Sequence, residues 1–167
     1  MRLYKKLDRE RSIIKTEKYP SINSDCSGFS NRVFLGIGGN IGDTTRVFHK
    51  LFAFLSKSNL INIVETSIIF KNPPFGYSNQ NSFYNSIILI QTPLSPKLLL
   101  RYIWQIEKRF KRKRTFANAP RSLDIDIIFY NNIRLRDKNL KIPHIGWNKR
   151  ESVILPLSTM RGILNAS

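Results

Sequence analysis

Cysteine occurs once in 167 residues, at Cys26, which excludes an internal disulfide framework and permits a reducing compartment. Histidine occurs only twice, and neither a Cys/His zinc spacing nor a nucleophilic triad can be assembled. No run approaches the roughly 20 apolar residues that cross a bilayer. The N-terminal stretch MRLYKKLDRERSIIKTEKYP is charged and lacks the apolar centre of a secretory signal. A cytoplasmic chain is expected. Acids are scarce too: 11 Asp and Glu stand against 28 Lys and Arg, a formal charge of +17. Such a field attracts nucleic acid, anionic lipid or a polyphosphate, and charge alone does not choose among them. The densest run is Lys111, Arg112, Lys113 and Arg114. An exposed helix end explains that run as readily as a phosphate site does.

The remaining pattern is that of one globular domain, with 41% apolar residues in a length that can bury a core. Residues 1–31 are polar, broken by Pro20 and the run SINSDCSGFSN, and have no sustained apolar period. They read as an N-terminal extension, partly disordered or draped on a domain formed by 32–167. Val33–Phe34–Leu35 followed by Gly36-Ile37-Gly38 predicts a buried strand that ends in a tight glycine turn. Asp43 is placed to cap a helix whose stripe is Val47, Phe48, Leu51, Phe52 and Leu55. Residues 61–70 and 83–91 read as strands. Ser95-Pro96 starts a second helix with Leu99, Tyr102, Ile103 and Ile106 facing inward. Residues 123–130 form the clearest strand. The tail adds a loop, a short apolar run from Val153 to Leu157 and a terminal element. The order strand, helix, strand, strand, helix, strand predicts an α+β fold, a ferredoxin-like sandwich with an antiparallel sheet and helices packed on one face.

Arg121-Ser122-Leu123-Asp124-Ile125-Asp126-Ile127 is the most informative string. Strand side chains alternate, so Asp124 and Asp126 share one face while Leu123, Ile125 and Ile127 share the other. Two ionised carboxylates this close repel, a cost offset when a cation lies between them. Hard oxygen ligands suit magnesium, which takes one or two carboxylates plus substrate phosphates. A solvated acidic strand face is the plain alternative. The nearby Arg121 and the Lys111–Arg114 run favour the first reading, because metal plus guanidinium neutralises a polyphosphate. Gly36 to Asp43 matches neither a dinucleotide fingerprint nor a P-loop. On its own, Pro143-His144 reads as a surface loop.

Taken in order, Gly38-Gly39-Asn40-Ile41-Gly42-Asp43, Asn72-Pro73-Pro74-Phe75-Gly76, Phe83-Tyr84-Asn85, Pro120 through Ile127, and Ile142-Pro143-His144 resemble the 6-hydroxymethyl-7,8-dihydropterin pyrophosphokinase family. The likeness spans about Val33 to Leu157. It implies the same ferredoxin-like fold and transfer of diphosphate from ATP, the co-substrate, to a pterin alcohol in folate biosynthesis, releasing AMP. It implies that Asp124 and Asp126 bind two magnesium ions. It assigns Asn72, Pro73, Pro74, Phe75, Phe83 and Asn85 to the pterin. Arg112, Arg114, Arg121 and His144 take catalytic positions around the phosphates. Glu107, Arg121, Ile127, Leu140, Lys141, His144 and Arg150 fall near the nucleotide. Ser152 stands where a second pterin-stacking aromatic is usual; the alternatives are replacement by Phe116 or Trp147, or a pterin held on one face only. Small-molecule substrates are the expected partners, a nucleic-acid or membrane partner is disfavoured, and a monomer is expected. Two rivals remain from the residues alone: a basic RNA-binding module on the same fold, and a metal-dependent nuclease.

Overall fold

The computed structural model describes residues 2–23, 28–76, 79–112 and 119–162. Cys26, Arg114 and Phe116 lie outside the described residues. The elements are β1 (Leu3–Lys6), β2 (Ser12–Lys15), β3 (Ser21–Ile22), β4 (Asn31–Gly39), α1 (Thr44–Ser56), β5 (Asn62–Thr66), β6 (Ile69–Asn72) and β7 (Phe83–Thr92). After these come α2 (Pro96–Arg109), β8 (Asp124–Tyr130), β9 (Leu135–Arg136), β10 (Lys141–Ile142), a 3-10 turn at Trp147–Lys149 and α3 (Glu151–Ser158).

The main sheet runs β1-β2-β6-β7-β4-β8, with β5 prolonging the line of β6 along β7. Every pairing is antiparallel. Its inner part, β8-β4-β7-β5/β6, is the strand order of a ferredoxin-like sandwich. Both predicted helices form, because each has a start signal and an apolar stripe. The Asp43 carboxylate accepts from the Arg46 N–H at 3.0 Å and starts α1. Pro96 at the first turn starts α2. Phe48, Leu51 and Leu55 of α1 and Leu99, Ile103 and Ile106 of α2 bury against Leu35, Ile37, Ile125 and Ile127 on one sheet face. Each such fully buried side chain is worth about 1.5–3 kcal/mol of transfer free energy.

A second, smaller cluster covers half of the opposite face. There Val153 and Leu157 of α3 and Met160 pack on Phe34, Ile87, Leu89 and Ile128. The buried Glu65 carboxylate fixes the chain beyond α3 by accepting from the Arg161 and Gly162 N–H groups at 2.7 and 2.8 Å. The other half of that face is open.

Two expectations are corrected. The glycines at 36, 38 and 39 lie within β4 and do not form a turn. Glycine is needed at 39 because a Cβ there would sit 2.7 Å from the Ser122 carbonyl oxygen, while one on Gly36 would press on the end of the Ile128 side chain at 3.0 Å. The strand expected over 61–70 is broken at Ser67, whose Oγ replaces a backbone carbonyl by accepting from the Ile87 N–H at 2.8 Å. The short apolar run in the tail is helical, as α3.

Residues 2–22 carry three strands, with β2 paired to β6 and β3 to β5. Ile14 and Tyr19 from this segment are fully buried, and Tyr19 donates to the Phe48 carbonyl of α1 at 3.0 Å. Burial pushes the Tyr19 hydroxyl pKa up, so it stays a donor.

Candidate active site

Strand register sets out the open half of the sheet. Asp124 of β8 lies opposite Gly38 of β4, and Gly38 lies opposite Asn85 of β7. Asp126 lies opposite Gly36 in the same way. Across the next pairing, Phe83 faces Asn72 of β6. Two glycines therefore form a floor, with the acid pair on one side and the Asn85–Asn72 amides on the other.

The acids differ in what surrounds them. Asp124 Oδ1 is 2.6 Å from Arg112 Nη1, and Asp124 Oδ2 is 2.7 Å from Arg121 Nη1. Arg112 also pairs with Glu107, a residue of α2 only 2% exposed. The Glu107 carboxylate accepts from the Ile125 N–H at 2.9 Å. Strand β8 is a sheet edge, and its outward N–H would be orphaned without that acceptor. Glu107 thus secures the backbone between the two aspartates and holds a guanidinium against one of them.

Among the described residues Asp126 has no such guanidinium partner, and its pKa is raised to about 7. Burial is the main cause, repulsion from Asp124 adds to it, and the Arg150 charge opposes it. The side chain is still 41% exposed, so a ligand can reach it. His144 Nε2 is 3.8 Å from Asp126 Oδ2, beyond hydrogen-bond reach. Burial, then the Arg150 charge, lowers the His144 pKa and keeps the ring neutral near pH 7. A carboxylate destabilised as an anion, beside another already neutralised by arginine, is relieved by a divalent cation. No group of three or more metal-ligating side chains converges among the described residues. That donor set fits magnesium, which completes its shell with water and substrate phosphate oxygens.

On the far side, Asn85 Nδ2 donates to Asn72 Oδ1 at 2.7 Å, and Asn72 Nδ2 donates to the Pro73 carbonyl at 2.8 Å. The Arg121 guanidinium lies over the Phe83 ring, 5.2 Å from its centroid. Pro73 and Pro74 are half-buried, and Phe75 is 85% exposed on the loop beyond β6. Asn40, which in the sequence stands only as part of a glycine-rich string, organises this region. Its Oδ1 accepts from the Arg121 N–H at 2.9 Å, and its Nδ2 donates to Gln80 Oε1 and the Asn81 carbonyl. A short amide just past a glycine pair was the available signal.

The other expected residues scatter. Ile127 and Leu140 have their side chains in the helix-side core, so any nucleotide contact they make goes through backbone. Lys141 is exposed on β10. Trp147 packs edge-on against Phe129, 4.8 Å between ring centroids, and is committed to that cluster.

An acid pair flanked by arginines on this face of an α+β sandwich is chemically suited to hold a divalent cation and a polyphosphate. The family model described as 7,8-dihydro-6-hydroxymethylpterin-pyrophosphokinase matches residues 34–162. A Helicobacter pylori protein named 2-amino-4-hydroxy-6-hydroxymethyldihydropteridine pyrophosphokinase is 40% identical over 150 residues, 89% of this chain and 92% of that one. A Campylobacter jejuni protein of the same name is 38% identical over 143 residues, 86% and 91% of the two chains. A Dictyostelium discoideum folic acid synthesis protein is 40% identical over 137 residues, which are 81% of this chain and 20% of the longer one. The chain belongs to the 7,8-dihydro-6-hydroxymethylpterin-pyrophosphokinase family.

Proposed function

We propose that this protein transfers the β,γ-diphosphate of ATP to the hydroxymethyl group of 6-hydroxymethyl-7,8-dihydropterin, giving AMP and the pterin diphosphate. Family membership carries the activity, a pyrophosphokinase step in folate biosynthesis. The observation that ties it to residues is the Asp124–Asp126 pair on the open face, flanked by Arg112 and Arg121.

Asp124 and Asp126 would hold two magnesium ions, which when bound neutralise phosphate charge and lower the pKa of the attacking alcohol. The remaining work falls to side chains. Asn85 and Asn72 offer amides to the edge of the pterin ring, and Phe83 offers its face, lined up with Pro73, Pro74 and Phe75. Arg112, Arg121 and Arg150 place positive charge where the triphosphate lies, with Arg114 and His144 as further donors. The alcohol oxygen forms a bond to the β-phosphorus while the bond to the oxygen bridging to the α-phosphate breaks. That oxygen leaves with AMP, and the alcohol proton passes to water. Little covalent help is needed, so positioning and charge neutralisation carry the rate. The same reading has the chain acting as a cytoplasmic monomer on small molecules. An RNA-binding role is disfavoured because Asp124 and Asp126 would meet a phosphate backbone with like charge. Mass spectrometry of the products tests the assignment: AMP and pterin diphosphate in equal amounts support it, whereas ADP or inorganic phosphate overturns it.

A further inference from the structure

The turn joining β1 to β2 is built from alternating charges, Asp8-Arg9-Glu10-Arg11, and is internally braced. Asp8 Oδ1 accepts from the Glu10 and Arg11 N–H groups at 2.9 and 2.8 Å. Asp8 Oδ2 holds Arg11 Nε at 2.5 Å. Arg11 then reaches out of its own hairpin, with Nη1 2.7 Å from Oε1 of Glu151, the first residue of α3. The hairpin is also fixed by β2, whose Ser12 lies opposite Lys71 beside Asn72. Between turn and loop is a cleft of about 550 Å³, lined by Asp8, Arg9, Glu10, Arg11, Asn72, Pro73 and Glu151. Its size suits a small heterocycle, since such sites run to roughly 300–1,000 Å³. Asp8 and Arg11 are committed to the brace, whereas the Arg9 guanidinium has no ion-pair partner among the described residues.

We propose that the Asp8–Arg11 turn is the outer wall of the pterin site, strapped across it by the Arg11–Glu151 pair, with Arg9 supplying donors to the ring's oxygen and nitrogen acceptors. This rests on the reading that places the pterin beside Asn72 and Pro73. Residues 8–11 lie outside the family-matched stretch 34–162. Arg11 and Glu151 are positioning residues here, acting through the shape of the cleft. Arg9 is the group that meets the ligand.

The test is steady-state kinetics of the full chain with the pterin and ATP varied separately, for wild type, Arg9→Ala, Arg11→Ala, Glu151→Ala and the double variant Arg11→Ala/Glu151→Ala. Melting temperatures run alongside. A solvent-exposed pair carries little energy, so Arg11→Ala and Glu151→Ala are expected to raise the pterin KM by about three- to fivefold. The ATP KM and kcat should stay within about twofold, and the double variant should cost no more than either single change, as expected of two residues acting through one contact. Added salt should raise the pterin KM in wild type and much less in Arg11→Ala. An unchanged pterin KM in folded Arg9→Ala and Arg11→Ala, with wild type active, overturns the wall and leaves the activity standing. Equal rises in both KM values overturn it as well. An inactive wild type fails the underlying assignment instead, and the inference falls with it.

Discussion

Gly38 and Asn85 meet across β4 and β7 so closely that a Cβ on Gly38 would lie 2.9 Å from Asn85 Oδ1. The glycine leaves room for the amide, and the amide is aimed by its bond to Asn72.

Gly38→Ala should therefore act on substrate before it acts on fold. The group in the way is the end of a side chain, so the amide can rotate at a cost of about 1–2 kcal/mol. Rotation breaks the Asn85–Asn72 bond and misaims both amides. The expected outcome is a pterin KM raised by about tenfold with the ATP KM nearly unchanged. Gly39→Ala differs, because its Cβ meets the Ser122 backbone at 2.7 Å, and there the melting temperature should fall.

Arg121 bridges the two halves of the site, bound to Asp124 at 2.7 Å and lying over Phe83. Its contact with phosphate is expected to strengthen as charge develops. Arg121→Ala should lower kcat by about 10²- to 10³-fold while moving the ATP KM only a few fold. Arg121→Lys keeps the charge but loses the planar fork, and should recover only part of the rate. A change confined to the ATP KM would assign Arg121 to ground-state binding.

Metal-free stability should depend on pH through Asp126. Its pKa of about 7 in the fold lies above the ordinary 3.8, so the fold binds the extra proton between those values. Its stabilising contribution is complete below the lower value and is lost as pH rises through about 7. Asp126→Asn, unable to ionise, should melt above wild type at pH 8 and converge with it in acid. Magnesium should raise the wild-type curve at pH 8 and leave the variant nearly unmoved. Parallel curves for the two proteins without metal would remove the repulsion argument.

Glu107 holds up β8 from behind. Glu107→Ala leaves the Ile125 N–H unpaired and frees Arg112 from its buried partner, at an expected cost of about 2–4 kcal/mol. Glu107→Gln keeps an acceptor for the N–H and should cost about half that. Chemical denaturation of both variants, compared with their kcat, separates the support from any direct contact with nucleotide. A fully stable Glu107→Ala contradicts the supporting role.

The βαββαβ order was legible because the chain writes it locally, in the alternation of 123–130 and the helical stripe from Val47 to Leu55. The face shared by Asp124 and Asp126 was legible for the same reason. Glycines at 36, 38 and 39 read as a turn because their cause lies elsewhere in the chain, in Ile128 and Asn85 on neighbouring strands and in Ser122 just before β8. Glu107 could be placed near the nucleotide only through the family resemblance; that it supports β8 depends on a contact 18 positions away in the chain. Ile14 and Tyr19 gave no signal, since isolated apolar residues show no period, yet both are buried completely. The Arg11–Glu151 pair joins residues 140 positions apart, a distance no local pattern spans.

The most direct measurement is AMP formed from ATP, with pterin and magnesium supplied or withheld, by wild type and Asp126→Asn. AMP should appear one for one with pterin diphosphate, need both additions, and fall by at least about 10³-fold in the folded variant. AMP made without the pterin, or near-normal turnover by Asp126→Asn, would contradict the role given to the acid pair.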